Sequence, residues 1–267
     1  MASLPPMETF DALRAILARL RGPGGCPWDK DQTHSSLRST LLEECYEALE
    51  ALDAGDHQRL AEELGDILLQ VAFHCQIATE KGEFTYEEVV HRLNEKLLRR
   101  HPHVFGGATA STPWEVEEQW ERLREREKGG GSLLDGVPKT LPALAYAQAV
   151  SQRAVRAGFE WPDLTSLLDK VKEEWEELHR AASLESRERE MGDLLFSVVN
   201  LARWLGVEAE SALRKANARF TRRFAAMEEA ARARGTTFTA LPLSEKLSLW
   251  REAKRQEGTA GGPSLEE

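Results

Sequence analysis

The sequence predicts an all-α protein built as a tandem repeat of one helical unit. Three observations carry this. Apolar residues recur at helical spacing along most of the chain. Alternation with a period of two, the mark of a strand, is nearly absent. An acidic motif also occurs twice in the same order: Glu43-Glu44-x-x-Glu47 with Glu63-x-x-Asp66, then Glu173-Glu174-x-x-Glu177 with Glu190-x-x-Asp193.

The elements follow in chain order. Phe10, Leu13, Ile16, Leu17 and Leu20 mark a first helix over about 8–21, which Gly22-Pro23-Gly24-Gly25 breaks. A second helix is expected from about Ser36 to Asp53. A third, from about His57 to Thr79, carries Leu60, Leu64, Ile67, Leu68, Val71 and Cys75. A fourth runs from about Thr85 to Arg100, before Pro102, and Gly55, Gly82 and Pro102 stand where helices should stop. Glycine, threonine and proline interrupt the pattern over 102–140, and a short helix is expected there from about Trp114 to Lys128. Helical spacing resumes near Leu141 and continues to about Gln256. The domains read as 1–112, a linker over 113–140, a second domain over 141–258, and a flexible tail over 259–267.

The repeat extends beyond the acids. Glu43 to Glu173 is an offset of 130 residues, Asp66 to Asp193 one of 127, and Asn94 to Asn217 one of 123. The last pair begins Asn94-x-Lys96-x-x-Arg99-Arg100 and Asn217-x-Arg219-x-x-Arg222-Arg223. Gly65-Asp66-Ile67-Leu68-Leu69 likewise parallels Gly192-Asp193-Leu194-Leu195-Phe196. A shrinking offset is what loops of different length leave between two copies of one fold.

Composition excludes several classes. The chain has 267 residues, 41% hydrophobic and 30% charged, which suits a folded protein rather than a disordered one. The formal net charge of −10 argues against a nucleic-acid partner. No apolar run reaches the roughly 18–20 residues of a membrane span, and Met1 to Phe10 lacks the basic and apolar regions of a signal peptide. Cys26, Cys45 and Cys75 show no CxxC spacing, as expected for free thiols in a reducing cytoplasm.

Residues three and four apart share a helix face, so each motif can set four or five carboxylates on two neighbouring helices. A solvated face is the ordinary fate of charged helices. Here the acids interleave with apolar positions, each Glu-x-x-Asp leads into an apolar run that should hold Asp66 and Asp193 near the core, and the arrangement occurs twice. A carboxylate-bridged di-iron site would need Glu-x-x-His, and the fourth position is Asp. All-oxygen ligation points to Mg²⁺, with Mn²⁺ as the alternative. Such a cation commonly binds substrate phosphates, and both copies supply partners for them: Arg92, Lys96, Arg99 and Arg100, then Lys215, Arg219, Arg222 and Arg223. Gly22-Pro-Gly-Gly25 lacks the Gly-Lys-Ser/Thr ending of a phosphate-binding loop. His101-Pro-His103 reads as a helix exit, and Trp28 as a plug at a core edge.

With these motifs the sequence resembles the MazG family of nucleoside triphosphate pyrophosphohydrolases. Further stretches carry the resemblance: Gly25-Cys26-Pro27-Trp28-Asp29, Arg99-Arg100-His101-Pro102-His103-Val104-Phe105, Gly158-Phe159-Glu160-Trp161, Lys215-Ala216-Asn217 and Trp250-x-x-x-Lys254. It implies a homodimeric all-α enzyme, a tandem repeat of two four-helix-bundle-like domains, that hydrolyses NTPs and dNTPs to the monophosphate and pyrophosphate with Mg²⁺, chiefly in the C-terminal copy. Glu174, Glu177, Glu190 and Asp193 are then the expected metal ligands, with Glu173 an extra ligand or base. Glu174 or Glu177 is expected to orient the attacking water. Lys170, Lys215, Arg219, Arg223 and Lys254 resemble phosphate-binding cations, Trp250 a residue lining the nucleotide pocket, and Trp161 a stacking partner near the base. Glu44, Glu47, Glu63 and Asp66 are expected to bind metal in the N-terminal copy. That copy has Thr40 where the second has Lys170, and no counterpart of Trp250-x-x-x-Lys254, so weak turnover is expected of it. The rival expectations are a non-catalytic regulatory protein whose metals only stabilise a helical dimer, and a narrow-specificity all-α pyrophosphatase such as a dUTPase.

Overall fold

Thr9 opens the first helix, α1 (Phe10–Arg21), its side chain accepting a hydrogen bond from the Ala12 N–H at 3.2 Å. The computed structural model describes residues 5–112, 115–116, 119–120, 123 and 131–260. The chain divides into two compact units at Gly130/Gly131. Among the described residues every regular element is helical, and none of the helices is long and apolar enough to cross a membrane.

In the first unit, α1 is followed by α2 (Pro27–Asp31), α3 (Arg38–Ala54), α4 (His57–Lys81), α5 (Tyr86–Arg100) and α6 (Pro102–Phe105). Gly55 takes φ 68°, a left-handed geometry that glycine adopts without steric cost. Asp56 then caps α4 through the Arg59 N–H at 3.0 Å. This two-residue turn forces α3 and α4 into an antiparallel pair. Leu17 of α1 and Leu37, just before α3, pack on Ala72, Phe73 and Ile77 of α4. Arg21, its side chain only 6% exposed, ties α1 to its neighbours. It donates to the Gln32 carbonyl at 3.1 Å and pairs with Glu80 of α4 at 2.8 Å. Thr85 and Glu88 form a reciprocal capping box at the start of α5.

The second unit holds α7 (Ala143–Arg156), α8 (Leu164–Arg180), α9 (Leu184–Trp204), α10 (Ala209–Ala233), a 3₁₀ turn (Phe238–Ala240) and α11 (Leu243–Ala260). Asp163 and Ser183 cap α8 and α9, which pair over much of their length, and α7 packs on α9 and α10. The α10–α11 pair closes on its own apolar cluster of Met227, Ala231, Leu241, Leu249 and Ala253. A fully buried leucine such as Leu167 or Leu249 contributes roughly 1.5–3 kcal/mol by burial.

Several expectations change. The short helices α2 and α6 lie where none was expected, each begun by a proline at its first position, which suits a helix start. Trp28 does not plug a core edge: it is 63% exposed. Asp66 and Asp193 do not sit near the core. Both are exposed, because each lies on the acid-bearing face of its helix, Asp66 beside Glu44 and Glu63 and Asp193 on the wall of the cleft that Glu174, Glu177 and Glu190 line. The expected helix over 114–128 lies mostly outside the described residues. α11 continues to Ala260, into the stretch expected as tail, and 261–267 lie outside the described residues.

Candidate active site

Each unit sets its acids on an antiparallel helix pair, α3–α4 in the first and α8–α9 in the second. Glu174 is buried at 5% exposure, and Glu177 lies one turn further along the same face. Glu190 approaches from α9. One carboxylate oxygen from each of these three lies within 4.8 Å of the others. They line an open cleft of about 730 Å³, with Lys170, Arg189 and Asp193 also on its wall. Asp193 thus faces the same space but stands outside the tightly converging three.

Lys170 is the local counter-charge. Its Nζ lies 2.7 Å from Glu174 Oε1 and 3.1 Å from Glu173 Oε1. Hydrogen bonding to Glu174 in the first place raises the Lys170 pKa above its usual value, so the ammonium stays charged. Glu190 is held by Arg189 at 2.7 Å.

The first unit repeats the pattern with a difference. Glu44, Glu63 and Asp66 bring carboxylate oxygens within 4.8 Å, while Glu47 stands outside that group. Arg59 holds Glu63 at 3.1 Å and also reaches Glu50 at 3.3 Å. Thr40 stands at the position corresponding to Lys170 and carries no charge. The Glu44 carboxyl is pushed up from its usual range, first by burial and then by Asp66, Glu47, Glu63 and Glu43.

In both units the donor set is all oxygen and crowded. A divalent cation with hard-ligand preference fits it, and would relieve the repulsion that three converging carboxylates otherwise carry.

A second, smaller cavity of about 220 Å³ shares Lys170, Glu174 and Asp193 with the cleft and runs in between α7 and α9. Trp161 lines it, as do Phe159, Ser151, Asn200 and Arg203. Lys215, Arg219, Arg223, Trp250 and Lys254 lie instead on α10 and α11. Among the described residues, no member of those two helices lines either cavity. Arg223 stacks over the Trp250 ring at 5.5 Å and pairs with Glu257 at 2.6 Å. In the first unit, Arg92, Lys96 and Arg99 are exposed on α5.

Sequence reasoning missed Arg189, Arg59, Ser151, Asn200 and Arg203. Arg59 lies four residues before Glu63 and Arg189 next to Glu190, a spacing that could have flagged the first as a helical ion pair. The other three carried no readable signal, since they meet only when α7 packs on α9.

The fold and site define a class: an all-α protein with a carboxylate-rich centre, of a donor set that suits a divalent cation, on a helix pair. Residues 32–105 match the MazG nucleotide pyrophosphohydrolase domain. The chain is 45% identical over 252 residues to the nucleoside triphosphate pyrophosphohydrolase/pyrophosphatase MazG of Thermotoga maritima, covering 94% of this chain and 97% of that protein. It is 44% identical over 260 residues to the nucleoside triphosphate pyrophosphohydrolase of Escherichia coli K12, covering 94% and 99%. An uncharacterized Bacillus subtilis protein, YabN, is 44% identical over 254 residues, which cover 93% of this chain and 52% of YabN. The chain belongs to the MazG family.

Proposed function

We propose that this protein is a Mg²⁺-dependent hydrolase that cleaves NTPs and dNTPs to the nucleoside monophosphate and pyrophosphate, chiefly in its second unit. The observation that carries the reading is the convergence of Glu174, Glu177 and Glu190 beside Lys170 at the wall of an open cleft. Relatives named as nucleoside triphosphate pyrophosphohydrolases match nearly end to end.

A bound Mg²⁺ supplies neutralising charge on the phosphate oxygens and a lowered pKa for its water. Glu174, Glu177, Glu190 and Asp193 hold that ion. Glu177, less buried than Glu174 and not paired with Lys170, orients the attacking water and takes its proton. Lys170 offsets negative charge that develops as the pyrophosphate leaves. In the first unit Glu44, Glu47, Glu63 and Asp66 hold a metal too. That unit lacks the Lys170 charge, which supports the slower turnover assigned to it.

Lys215, Arg219, Arg223, Lys254 and Trp250 complete the phosphate and nucleotide contacts in a homodimer. Support for that assembly comes from apolar side chains left uncovered on the acid-bearing helices. Leu42, Tyr46 and Leu49 form a stripe on α3, and Leu168 and Trp175, seven residues apart, lie on α8. Exposed apolar stripes of this kind mark contact surfaces. The two units are read as tandem copies of one domain, joined near 113–140, in a cytoplasmic protein whose three cysteines are free.

The test is product analysis. The purified protein is incubated with each NTP and dNTP plus Mg²⁺, beside Glu47→Ala and Glu177→Ala. Monophosphate and pyrophosphate, lost with Glu177→Ala and kept with Glu47→Ala, are expected. Loss only with Glu47→Ala would move catalysis to the first unit, and no turnover at all would leave a metal-stabilised regulatory protein.

A further inference from the structure

The acid-bearing face of α4 continues beyond its carboxylates. Glu63, Asp66, Gln70 and His74 follow one another at intervals of three and four residues, so they share one face of the helix. Gln70 is only 4% exposed, and its Oε1 is buried with no hydrogen-bond partner among the described residues. His74 Nε2, one turn further on, is buried in the same condition. At the corresponding places, 127 residues on, the second unit has Ser197 and Leu201. The same helix packs there with a small hydroxyl and an aliphatic chain, so packing alone does not call for the amide and the imidazole.

The other ring nitrogen of His74 belongs to a chain of polar groups that reaches the surface. Its Nδ1 lies 2.7 Å from Nδ1 of His34, in the segment between α2 and α3, with the two ring planes 3° apart. A hydrogen bond of that length holds one proton between the two nitrogens. His34 Nε2 lies 3.3 Å from a carboxylate oxygen of Glu83, in the α4–α5 turn. A carboxylate only accepts, so His34 Nε2 carries a proton. In the neutral pair His34 Nδ1 is then the acceptor and His74 Nδ1 the donor, which leaves His74 Nε2 as a buried lone pair. Charged groups on the helices packed against α4 are paired elsewhere: Arg21 of α1 with Glu80, and Arg14 of α1 with Glu87 of α5. The segment leading into α3 meets α4 here through Leu37, which is apolar.

One added proton rearranges the pair. The shared proton passes from His74 Nδ1 to His34 Nδ1, and the added proton goes on His74 Nε2. The charge comes to rest on His34, whose side chain is 33% exposed, beside the Glu83 carboxylate. A second proton would set like charges on facing nitrogens and is resisted. His74 Nε2 has thereby changed from acceptor to donor, and Gln70 Oε1 is one turn away to receive it. In the neutral pair the Gln70 Nε2 satisfies the lone pair instead, and Oε1 turns toward Asp66, four residues back. After protonation the amide nitrogen turns that way, donates to a carboxylate and competes with a cation.

We propose that Glu83, His34, His74 and Gln70 form a proton-driven relay in the first unit, in which one proton taken up by the histidine pair reverses the Gln70 amide beside the acid cluster and weakens cation binding there. His34, His74 and Gln70 are positioning residues. The coupling to the cation rests on the reading of the first unit given above, whereas the tautomer exchange does not.

Two measurements on the full chain test the relay. The first reads the ring-nitrogen shifts of protein carrying isotope-labelled histidine, without metal, at about pH 8 and about pH 6, either side of the ordinary imidazole value. His74 is expected to exchange a protonated Nδ1 for a protonated Nε2, while His34 becomes doubly protonated. A His74 tautomer that stayed the same at both pH values, or a His74 that itself became the cation, would overturn the relay. The second is calorimetric Mg²⁺ binding at the same two pH values in a Glu190→Gln background, which weakens the second unit's site. Carboxylate protonation lowers affinity at the lower pH in every variant. The relay is expected to add about a fivefold loss, as for one hydrogen bond, that is missing from His74→Leu. Equal pH dependence with and without His74 would overturn the coupling. Should His74→Leu fail to fold, His34→Phe decides by the same comparison. No Mg²⁺ binding by the first unit at either pH would sink the metal reading of that unit and the coupling with it, and the tautomer exchange would still stand or fall on the nitrogen shifts.

Discussion

Lys170 Nζ sits 2.7 Å from Oε1 of Glu174, and the Glu174 side chain is only 6% exposed. In the first unit Thr40, which carries no charge, occupies the corresponding place. Removing the ammonium leaves a buried carboxylate without its partner, at a cost of roughly 1–3 kcal/mol. Lys170→Met should therefore lower the melting temperature of the metal-free protein. It should also slow turnover about 100-fold, as expected for loss of one charge-stabilising donor. The pair raises the lysine pKa above its usual 10.5, so its contribution is complete below that value and fades only above it. The melting deficit should then be the same at about pH 6 and about pH 9, and a deficit that vanished at the higher pH would contradict the pairing.

Glu190 closes the second unit's acid cluster from α9. Titrating Mg²⁺ to about 100 times its Kd should stabilise the wild-type protein by about 2.7 kcal/mol per site. Glu190→Gln should lose most of the second unit's share of that gain, and its metal-free stability should be no lower than wild type, because it removes one of three repelling charges. Calorimetric scans with EDTA and with Mg²⁺ measure both quantities.

His34 and His74 stack in the first unit with ring centroids 5.0 Å apart and their Nδ1 atoms 2.7 Å apart. Glu83 lies 3.3 Å from the outer His34 nitrogen, and the inner nitrogen of His74 is buried without a partner. Burial first, and His34 second, hold the His74 pKa below its usual 6.5. The folded imidazole thus binds fewer protons than the unfolded one, so stability falls as pH drops through 6.5 toward the folded value. His74→Gln should flatten that fall. Melts between about pH 7 and pH 5 in which wild type and variant ran parallel would contradict it.

Trp175 is 59% exposed on α8, one residue from the buried Glu174. If the acid-bearing helices meet in a homodimer, Trp175→Glu should shift light-scattering mass from dimer toward monomer and reduce turnover with it. A variant that remained dimeric would place the interface elsewhere.

Much of the fold was legible because helices announce themselves locally. The 3.6-residue spacing, the glycines at 55 and 82, and the prolines needed no knowledge of distant residues. The misses have physical causes as well. The helix at Pro27 is only five residues long, too short for periodicity to show. Trp28 looked like core because tryptophan usually is, yet only packing decides whether a large ring finds a partner.

The sequence by itself determined the all-α class, the doubled acid motif, and the residue types that suit a divalent cation. Those properties depend on spacing along one chain, and helical geometry converts spacing directly into shared faces. Only the tertiary structure decided which acids converge. Glu177 joins Glu174 and Glu190 whereas Glu47 stands apart from Glu44, Glu63 and Asp66. It alone brought Ser151 of α7 to Asn200 and Arg203 of α9, about fifty residues apart in sequence. Contacts of that kind depend on how two helices cross, which their separate sequences do not encode in any local pattern.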